Sequence, residues 1–406
     1  MNPRQIIHLL RWVGLGAVVG VLAGLSSAAF LETLDWATDA RIDHPNLLYL
    51  LPVGGLIIGL TYHYLGGRSA GGNSLIIDEI HEPTAWVPRR MAPLVFGGTV
   101  VTHLLGGSAG REGTAIQMSG SLTDLFSRIV GLKPDDRRLM LIAALGGGFG
   151  AVFGVPLAGC VFALEVQAVG RMRYDALVPA LTASLVGDLV VRGLGVSHTP
   201  LPHLATVHLT AGLTAKVALA GAAFGLTSLA FTQLTHGMRR AAAATISWAP
   251  LRTVLGGVAV ITLTLVVGNR DYLGLSIPLI TKATAGGAGI VAGAFAIKLI
   301  FTAVTLGTGF PGGEVTPLFV IGATLGITLA RLLGVPLPLL AAIGFVAVFA
   351  GAANTPLACT IMGVELFGGS GVVLFGVACV MSYIFSSHRG IYESQRVEVA
   401  KGPGVT

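Results

Sequence analysis

Long apolar runs that glycine and proline repeatedly interrupt dominate this chain and limit how it can fold. Hydrophobic residues make up 53% of the 406 residues and charged residues only 11%, less than half the ~25% of an average soluble protein. So few charges cannot cover the surface of a soluble fold of this length, whereas a run of about 20 apolar residues crosses a bilayer. The sequence therefore predicts an all-α, polytopic membrane protein in contact with the lipid bilayer.

Many of these apolar runs are too short or too interrupted to be simple crossings. The run from Met91 to Leu105 is short, and the run from Leu139 to Val169 is broken at Gly146–Gly148, Gly154 and Pro156. Non-helical backbone at membrane depth is tolerated only where it is buried in protein or lines a cavity. The breaks therefore favour a transporting or conducting core with broken and re-entrant helices over a plain anchor bundle.

The remaining composition excludes several other classes. Cys160, Cys359 and Cys379 lie within apolar runs, which predicts small buried packing residues and neither a disulfide nor a metal site. The net charge of +6 is attributed to basic flanks that face anionic lipid, and we expect no nucleic-acid partner and no cofactor. Arg4 and Arg11 place the N-terminus in the cytoplasm by the positive-inside rule, and no cleavable signal peptide is expected.

Two motifs occur twice at nearly the same spacing. The sequence Pro-Leu-Ala at 156–158, with Glu165 downstream, recurs at 356–358 with Glu365, and Gly-x-Glu-x-Thr at 110–114 recurs at 312–316. Two separate motifs offset by about 200 residues indicate an internal duplication. We predict a first transmembrane repeat at 1–195, a linker at 196–210, and a second repeat with a short C-terminal tail at 211–406. The residues alone do not decide between parallel and inverted repeats.

The stretch from Gly106 to Thr114 contains the strongest functional signal. Glycines surround Arg111 and Glu112, and the following residues resemble a helix start, where uncovered amides and the helix dipole suit a small anion. An uncompensated acid in a membrane segment costs about 2.5–3.5 kcal/mol and is functional by default. Glu112 is therefore the candidate for proton transfer and gating, because its carboxylate competes with the anion when charged and yields when protonated. The alternative, a salt bridge to Arg111, is poor between adjacent helical residues.

These motifs, in this order, resemble the CLC family of anion channels and proton-coupled antiporters. The resemblance rests on Gly-Arg-Glu-Gly at 110–113, on 313–317, on the segment from Pro156 to Glu165 and on Tyr392, and it covers nearly the whole chain. It implies an inverted repeat and a homodimer with one pore per subunit. The cytoplasmic nucleotide-binding domains that some members carry are not expected here.

Departures from the family pattern resemble its bacterial fluoride/proton antiporter (CLC-F) branch. Thr114 replaces a proline, Val315 replaces an aromatic residue, and Asn73 or Ser74 occupies the central anion position. Val166 stands where the chloride antiporters have a second, internal glutamate. The resemblance implies that the side chains and amides of eight residues bind the anion: Asn73, Ser74, Gly110, Arg111, Gly113, Val315, Thr316 and Tyr392.

Several of these residues have a second interpretation. Asn73 and Ser74 can donate to fluoride, or one of them can cap the helix that follows. The hydroxyl of Thr316 is the candidate inner contact for Glu112, replacing the missing second acid. Tyr392 can donate its phenol to the anion or anchor the chain at the membrane interface. Arg111 is expected mainly to brace neighbouring groups.

The other acidic residues are assigned to structural roles. Glu314 is expected to pair with an arginine or with Lys298, although a pore-facing position stays open. We expect Glu165 and Glu365 to be helix-end packing features, and Gln117, one turn past Glu112, to hydrogen-bond that acid. A cluster of polar residues after Asn73 is interpreted as an exposed loop face and not as a metal site. It comprises Asp78, Glu79, His81 and Glu82.

The sequence thus predicts a proton-coupled antiporter that exports fluoride across the bacterial inner membrane. The alternative within the same fold is a chloride/proton antiporter or chloride channel. A second alternative is an intramembrane enzyme, which would need an activated nucleophile; His103 is the only histidine near the site in sequence, and nothing obvious activates Ser108. We therefore expect no enzymatic activity.

Overall fold

The computed structural model describes residues 3–401 and is built almost entirely of α-helices. The first half contains α1 (Pro3–Asp43), α2 (Leu51–Thr61), α3 (Gly72–His81), α4 (Met91–Leu104), α5 (Glu112–Ile129), α6 (Pro134–Phe153), α7 (Pro156–Glu165) and α8 (Leu177–Gly193). The second half contains α9 (Ala211–Thr245), α10 (Ala249–Val267), α11 (Ile277–Thr284), α12 (Ala294–Gly307), α13 (Val315–Leu333), α14 (Leu337–Ala353), α15 (Pro356–Phe367) and α16 (Val372–Phe385). Six helical stretches of the described chain are long and apolar enough to cross a membrane.

Two short strands join the end of the chain to the first half. Strand β1 (Ala168–Val169) pairs in parallel with β2 (Arg396–Val397). The side chain of Gln395 also donates to the carbonyls of Val166 and Ala353. The C-terminal segment is therefore held against the helices of both halves.

Proline and glycine set many helix ends. Pro134, Pro156 and Pro356 stand in the first turns of α6, α7 and α15, where a missing N–H costs nothing. Gly154 and Gly334 end α6 and α13 in the left-handed conformation, with φ of +71° and +61°, which favours glycine. Gly154 and Pro156 thus separate α6 from α7 as predicted, whereas the predicted break at Gly146–Gly148 is wrong, because α6 continues through these glycines.

Helix α1 is longer than the sequence predicts. The first apolar run of the sequence ends at Leu31, and hydropathy predicts a polar connection from Glu32 to Asn46, but the helix continues to Asp43. Its 41 residues extend over roughly 60 Å, about twice the hydrocarbon thickness of a bilayer. Hydropathy detects where a helix leaves the lipid, not where the helix ends. The polar residues Glu32–Asp43 are therefore helical, although their composition predicts a connection.

The helices of the two halves correspond in order. Helix α4 matches α12, since both bounds differ by 203 residues between Met91–Leu104 and Ala294–Gly307, and α5 and α13 both begin directly after a glycine-rich break. The carboxylate of Glu165 accepts hydrogen bonds from the N–H groups of Leu357 and Ala358 (3.1 and 2.9 Å). In the other direction, Glu365 accepts from Leu157 and Ala158 (2.9 and 2.8 Å). Each half thus caps a helix of the other, which is the helix-end role expected for these two acids.

The core between the halves is aromatic and closely packed. Phe149 stacks on Phe162 with ring centroids 4.3 Å apart, and Phe319 stacks on Phe345 at 3.9 Å. Where α13 crosses α14, a Cβ placed on Gly322 would lie 1.9 Å from the carbonyl oxygen of Gly344. Small residues are needed there because the two backbones touch.

The three cysteines lie where the sequence predicts. Cys160, Cys359 and Cys379 are buried and free, and residues 3–401 contain no disulfide. No group of three or more acidic, histidine or cysteine side chains suited to a metal ion occurs in that range either.

Helices α6 and α9 run from one end of the molecule to the other and show which segments lie at each end. Arg11 forms an ion pair of 2.5 Å with Asp136 at the start of α6, whereas the end of α6 lies beside the segment 196–210, which contains no helix or strand. The twenty residues of α6 extend over about 30 Å. Helix α9 starts after this segment, and Arg239 lies roughly 42 Å further along that helix. The N-terminus and the segment 196–210 therefore lie at opposite ends of α6.

Candidate functional site

The glycine-rich breaks before α5 and α13 pair with each other. The N–H of Gly110 donates to the carbonyl of Gly313 at 2.6 Å, and the N–H of Gly313 donates back at 2.7 Å. Helices α5 and α13 begin just after these residues, at Glu112 and Val315. Two helix N-termini, one from each half, therefore meet at one point, and both present unpaired amides and the positive end of a helix dipole.

The Glu112 side chain is fully buried at this point. One carboxylate oxygen, Oε2, accepts from the N–H of Arg111 and from the N–H of Thr316, both at 3.1 Å. The other, Oε1, accepts a short hydrogen bond from the hydroxyl of Thr316. The acid of the first half is thus held by the helix start of the second half, which brings together the two residues that the sequence paired for proton transfer.

Two glycines leave the space that this carboxylate occupies. A Cβ on Gly110 would lie 2.6 Å from Oε2 of Glu112, and a Cβ on Gly313 would lie 2.8 Å from the same oxygen. Both distances are too short for any side chain. Gly110 also uses its N–H in the bond to Gly313, so its expected role as an anion donor would require that bond to open.

Arg111 does not form the salt bridge considered as the alternative role of Glu112. Within residues 3–401 its guanidinium has no carboxylate within ion-pair distance, and its buried Nε has no hydrogen-bond partner. Arg111 is only 8% exposed. A buried guanidinium with an open donor is a candidate anion ligand.

A cavity of about 630 Å³ reaches the site from one side. It is lined by Gly312 and by the predicted residues Asn73, Ser74 and Tyr392, and Arg239 and Arg252 also contribute to its wall. Because Arg239 lies far along α9, this cavity opens at the end of the molecule that carries the N-terminus. We call it the inner cavity.

Two of the alternative interpretations are wrong. Neither Asn73 nor Ser74 caps a helix, because α3 begins earlier, at Gly72, and its N-cap residue Gly71 makes no side-chain capping bond. Tyr392 is 4% exposed and packs its ring 6.2 Å from that of Phe162, so it is not an interfacial anchor. Sequence reasoning missed these points because α3 starts with glycines and because the tail folds back into the core.

Asn73 and Tyr392 contain buried polar atoms without hydrogen-bond partners in the described chain. The amide nitrogen of Asn73 lies against Gly113, where an added Cβ would be 3.0 Å away. Its Oδ1 and the Oη of Tyr392 are buried without a hydrogen-bond partner in the described chain. Val315, by contrast, is a buried apolar residue at the start of α13 and lines neither cavity described here.

Glu314 and Gln117 do not make their expected contacts. Glu314 lines the inner cavity and has no ion-pair partner among residues 3–401, so the predicted bridge is wrong and the pore-facing position is the observed one. Gln117 lines the same cavity and makes no hydrogen bond to Glu112 within that range. Lys298, the other expected partner of Glu314, instead donates to the carbonyls of Tyr272 and Gly274 and to the hydroxyl of Ser276.

The group Asp78, Glu79, His81 and Glu82 is only partly an exposed face: Asp78 and Glu82 are exposed as predicted, whereas Glu79 is not. Glu79 is 1% exposed, lies within α3, and accepts from Arg137 on α6 at 3.3 Å and from Arg68. Arg137 also pairs with Asp124 on α5 at 2.5 Å. These ion pairs tie the helix of Asn73 to the helix of Glu112, a contact that spacing in the sequence cannot reveal.

The residues considered for catalysis do not form a nucleophile and base. The hydroxyl of Ser108 shares a hydrogen bond with Thr302 at 3.0 Å. The ring of His103 lies between the carbonyls of Thr99 and Ala109, at 2.9 and 3.0 Å. Neither residue contacts the other through a hydrogen bond in the described chain.

A second, much smaller cavity of about 40 Å³ lies on the other side of the acid. Thr316, Arg111 and His198 are among the residues that line it. His198 belongs to the segment 196–210, so this cavity lies at the opposite end of α6 from the N-terminus. We call it the outer cavity. Thr316, which holds Glu112, lines the outer cavity, and Glu314, two residues earlier, lines the inner one.

A buried acid held between two such cavities, at the junction of two matched sets of broken helices, defines a membrane protein that moves small ions. The chain belongs to the family described as voltage gated chloride channel, whose family model matches residues 54–387.

Relatives of this family match nearly the full chain. A chloride/fluoride channel protein of Pseudomonas syringae pv. tomato is 47% identical over 400 residues, covering 97% of this chain and 88% of that protein. An H⁺/Cl⁻ exchange transporter of Vibrio cholerae serotype O1 is 26% identical and covers 89% of this chain and 82% of its own length.

Solved structures of the family share the fold. The crystal structure of a CLC-type fluoride/proton antiporter matches with a TM-score of 0.93 and 32% identity, covering 98% of this chain and all of that one. A slow cyanobacterial Cl⁻/H⁺ antiporter matches at a TM-score of 0.77 with 16% identity, over 97% of each chain. The all-α CLC architecture predicted from the sequence is confirmed, and the protein is an integral multi-pass membrane protein.

Proposed function

We propose that this protein exports fluoride from the cytoplasm in exchange for protons, with Glu112 carrying the proton and gating the anion path. One observation carries the proposal. The Glu112 carboxylate occupies a site made of donors from both halves, with Thr316 supplying both a hydroxyl and an N–H. The relatives add support, because two of them are named for fluoride.

The chemistry of the exchange follows from this competition. A charged carboxylate accepts strong hydrogen bonds from the Thr316 hydroxyl and from two backbone N–H groups. A protonated carboxyl accepts them poorly and can leave, which frees the same donors for an anion. Proton uptake by Glu112 is therefore coupled to entry of the anion, and proton release to its displacement.

We propose that Asn73, Ser74 and Tyr392 bind fluoride as it enters from the inner cavity. Fluoride is small and strongly hydrated, so it needs strong, directional donors in a tight site. The amide of Asn73, the hydroxyl of Ser74 and the phenol of Tyr392 line the route to the Gly110–Thr114 loop. Gly113, Arg111 and Thr316 then contribute donors at the loop itself. Val166 is an apolar, 1% exposed residue, which leaves the Thr316 hydroxyl as the side-chain contact of Glu112.

Further features are proposed on the same basis. We infer that the protein is a homodimer in the bacterial inner membrane and that it acts in transport without an enzymatic step. We also infer that residues 1–195 and 211–406 are inverted repeats, joined by 196–210. The corresponding helices and the reciprocal caps of Glu165 and Glu365 support the repeat assignment.

Reconstituted transport tests the function. Liposomes loaded with fluoride and containing the purified protein should release fluoride and take up protons in a fixed ratio. Measurement uses a fluoride electrode and a pH electrode in the same bath. Glu112→Gln should abolish proton movement. Glu165→Gln, the same change at a buried capping acid, should keep the ratio.

Chloride provides the decisive comparison. The same liposomes loaded with chloride should release it more slowly than fluoride. Equal or faster chloride efflux would reject the fluoride assignment and favour the chloride/proton exchanger of the same fold.

A further inference from the structure

The outer cavity contains a pair of basic side chains from two distant parts of the chain. Arg111 belongs to the loop before α5, and His198 belongs to the segment 196–210. Both line a space of about 40 Å³, which has room for a water molecule or a small ion. Thr199 adds a hydroxyl-bearing side chain to the wall, as does Thr316, whose hydroxyl donates to Glu112, and the other lining residues are apolar.

Arg111 gives this space the character of a ligand site. Its side chain is more than nine-tenths buried, and its Nε lacks a hydrogen-bond partner among residues 3–401. No carboxylate of the described chain lies within ion-pair distance of it. Glu112 and Asp35 act on its charge only from beyond that distance, so the buried cation is incompletely compensated, and a small anion in the cavity would add the missing charge.

His198 is held in a defined position beside Arg111. Its Nε2 donates to the carbonyl of Ala151 at 2.9 Å, and its ring lies against Gly154, where an added Cβ would be 2.8 Å from Nδ1. Charged groups that act on it are Arg111 across the cavity and Asp188 and Arg192 on α8, and Arg192 is itself paired with Asp188 at 2.8 Å.

Burial lowers the pKa of His198 below its ordinary value, and the bond to Ala151 opposes this in part. This shift favours the neutral ring, and a more acidic medium favours its protonation. Once protonated, it forms a second cation beside Arg111, and an anion held between them would in turn favour the proton.

We propose that the outer cavity is an anion exit port in which Arg111 and His198 bind the small anion that has passed Glu112. The port takes a monovalent anion of the size of fluoride, and its affinity increases when the outer medium is acidic. The proposal rests on the proposed transport function, because it names the last binding site on that route.

The test compares two substitutions of opposite effect at one position. His198→Lys keeps a positive charge at every working pH, and His198→Gln never has one. Fluoride uptake is measured in right-side-out vesicles at about pH 5 and about pH 8, well below and well above the ordinary histidine value because burial lowers the pKa of His198, with the pH difference across the membrane held constant. The leak of vesicles without the protein is subtracted.

The wild-type protein should show a KM for outer fluoride about tenfold lower at the acidic pH, since a unit charge at close range has an effect of this order. His198→Lys should give the low KM at both pH values and His198→Gln the high one. His208→Ala, at an exposed histidine of the same segment, should behave as wild type. If His198 had only a structural role, both variants would change the KM in the same direction, and that result would contradict the proposed anion exit port.

The two proposals fail in different ways. If the wild-type protein moves no fluoride, the proposed function is wrong, and chloride uptake by the same variants then tests the port. If fluoride moves but its outer KM has the same pH dependence in His198→Gln as in the wild type, the port is wrong and the transport function stands.

Discussion

The contact between Glu112 and Thr316 is the smallest unit on which the proposed coupling depends. It joins the acid of one half to the helix start of the other through a hydroxyl and an N–H. The N–H is part of the backbone and is present in every variant. The hydroxyl is therefore the part that substitution can remove.

Thr316→Val should lower coupled proton flux by about tenfold or more, because a hydrogen bond to a charged group contributes about 1.5–3 kcal/mol. Thr316→Ser, which keeps the hydroxyl, should retain most of the flux. Proton uptake driven by a fluoride gradient measures both. Unchanged proton flux in Thr316→Val would remove this residue from the proton path.

Tyr392→Phe removes a buried hydroxyl that has no partner in the described chain and that lines the inner cavity. We expect a severalfold higher KM for fluoride leaving the cytoplasmic side, because a donor worth about 1 kcal/mol is lost. The ratio of protons to fluoride should stay the same. The dependence of efflux on internal fluoride concentration is the measurement, and a changed ratio would contradict a role limited to the anion.

At the scale of helices, the halves hold each other by capping. Glu165 and Glu365 each accept two backbone N–H groups from the start of a helix in the other half. Because the four bonds join segments about 200 residues apart, they stabilise the association of the halves as well as the individual helices.

Glu165→Gln and Glu365→Gln should each lower stability by about 0.5–2 kcal/mol, the usual cost of a lost helix cap, and the two effects should be similar. Loss of the folded fraction with temperature, followed by size-exclusion chromatography in detergent, measures this. Proton flux that falls while stability is unchanged would instead make Glu165 a proton carrier.

The sequence alone predicted that the chain forms membrane helices far better than it predicted where each helix ends or which side chains meet. The charge-poor composition and the glycine breaks sufficed for a multi-pass helical protein, and the isolated acid of Glu112 marked the site. The contact of Glu79 with Arg137 and the free position of Glu314 were not predictable, since they depend on which faces of distant helices meet. Fully apolar helices such as α14 show no periodicity that would indicate a buried face.

The whole molecule places its two cavities on opposite sides of one acid. Basic residues lie near the inner cavity, with Arg239 and Arg252 in its wall, whereas the outer cavity ends at the segment 196–210. The positive-inside rule then assigns the inner cavity to the cytoplasm. This sidedness is a property of the entire chain and needs its own test.

Thr206→Cys, in the segment 196–210, should react with a membrane-impermeant maleimide added to intact cells, and Arg240→Cys should react only after the cells are permeabilised. Both positions are exposed, and the three native cysteines are buried, so background labelling is low. Labelling of Arg240→Cys in intact cells would reverse the assigned orientation.

The paired bonds between Gly110 and Gly313 have a consequence for how such a protein can arise and be divided. Each glycine needs the other for its two backbone hydrogen bonds. A polypeptide of half this length could therefore form these bonds only by associating with another half. Separately expressed fragments ending and restarting within 196–210 should consequently work only when both are made in the same cell. Were the proposed repeats copies of one ancestral unit, that unit would have needed a twin to complete the same pair of bonds.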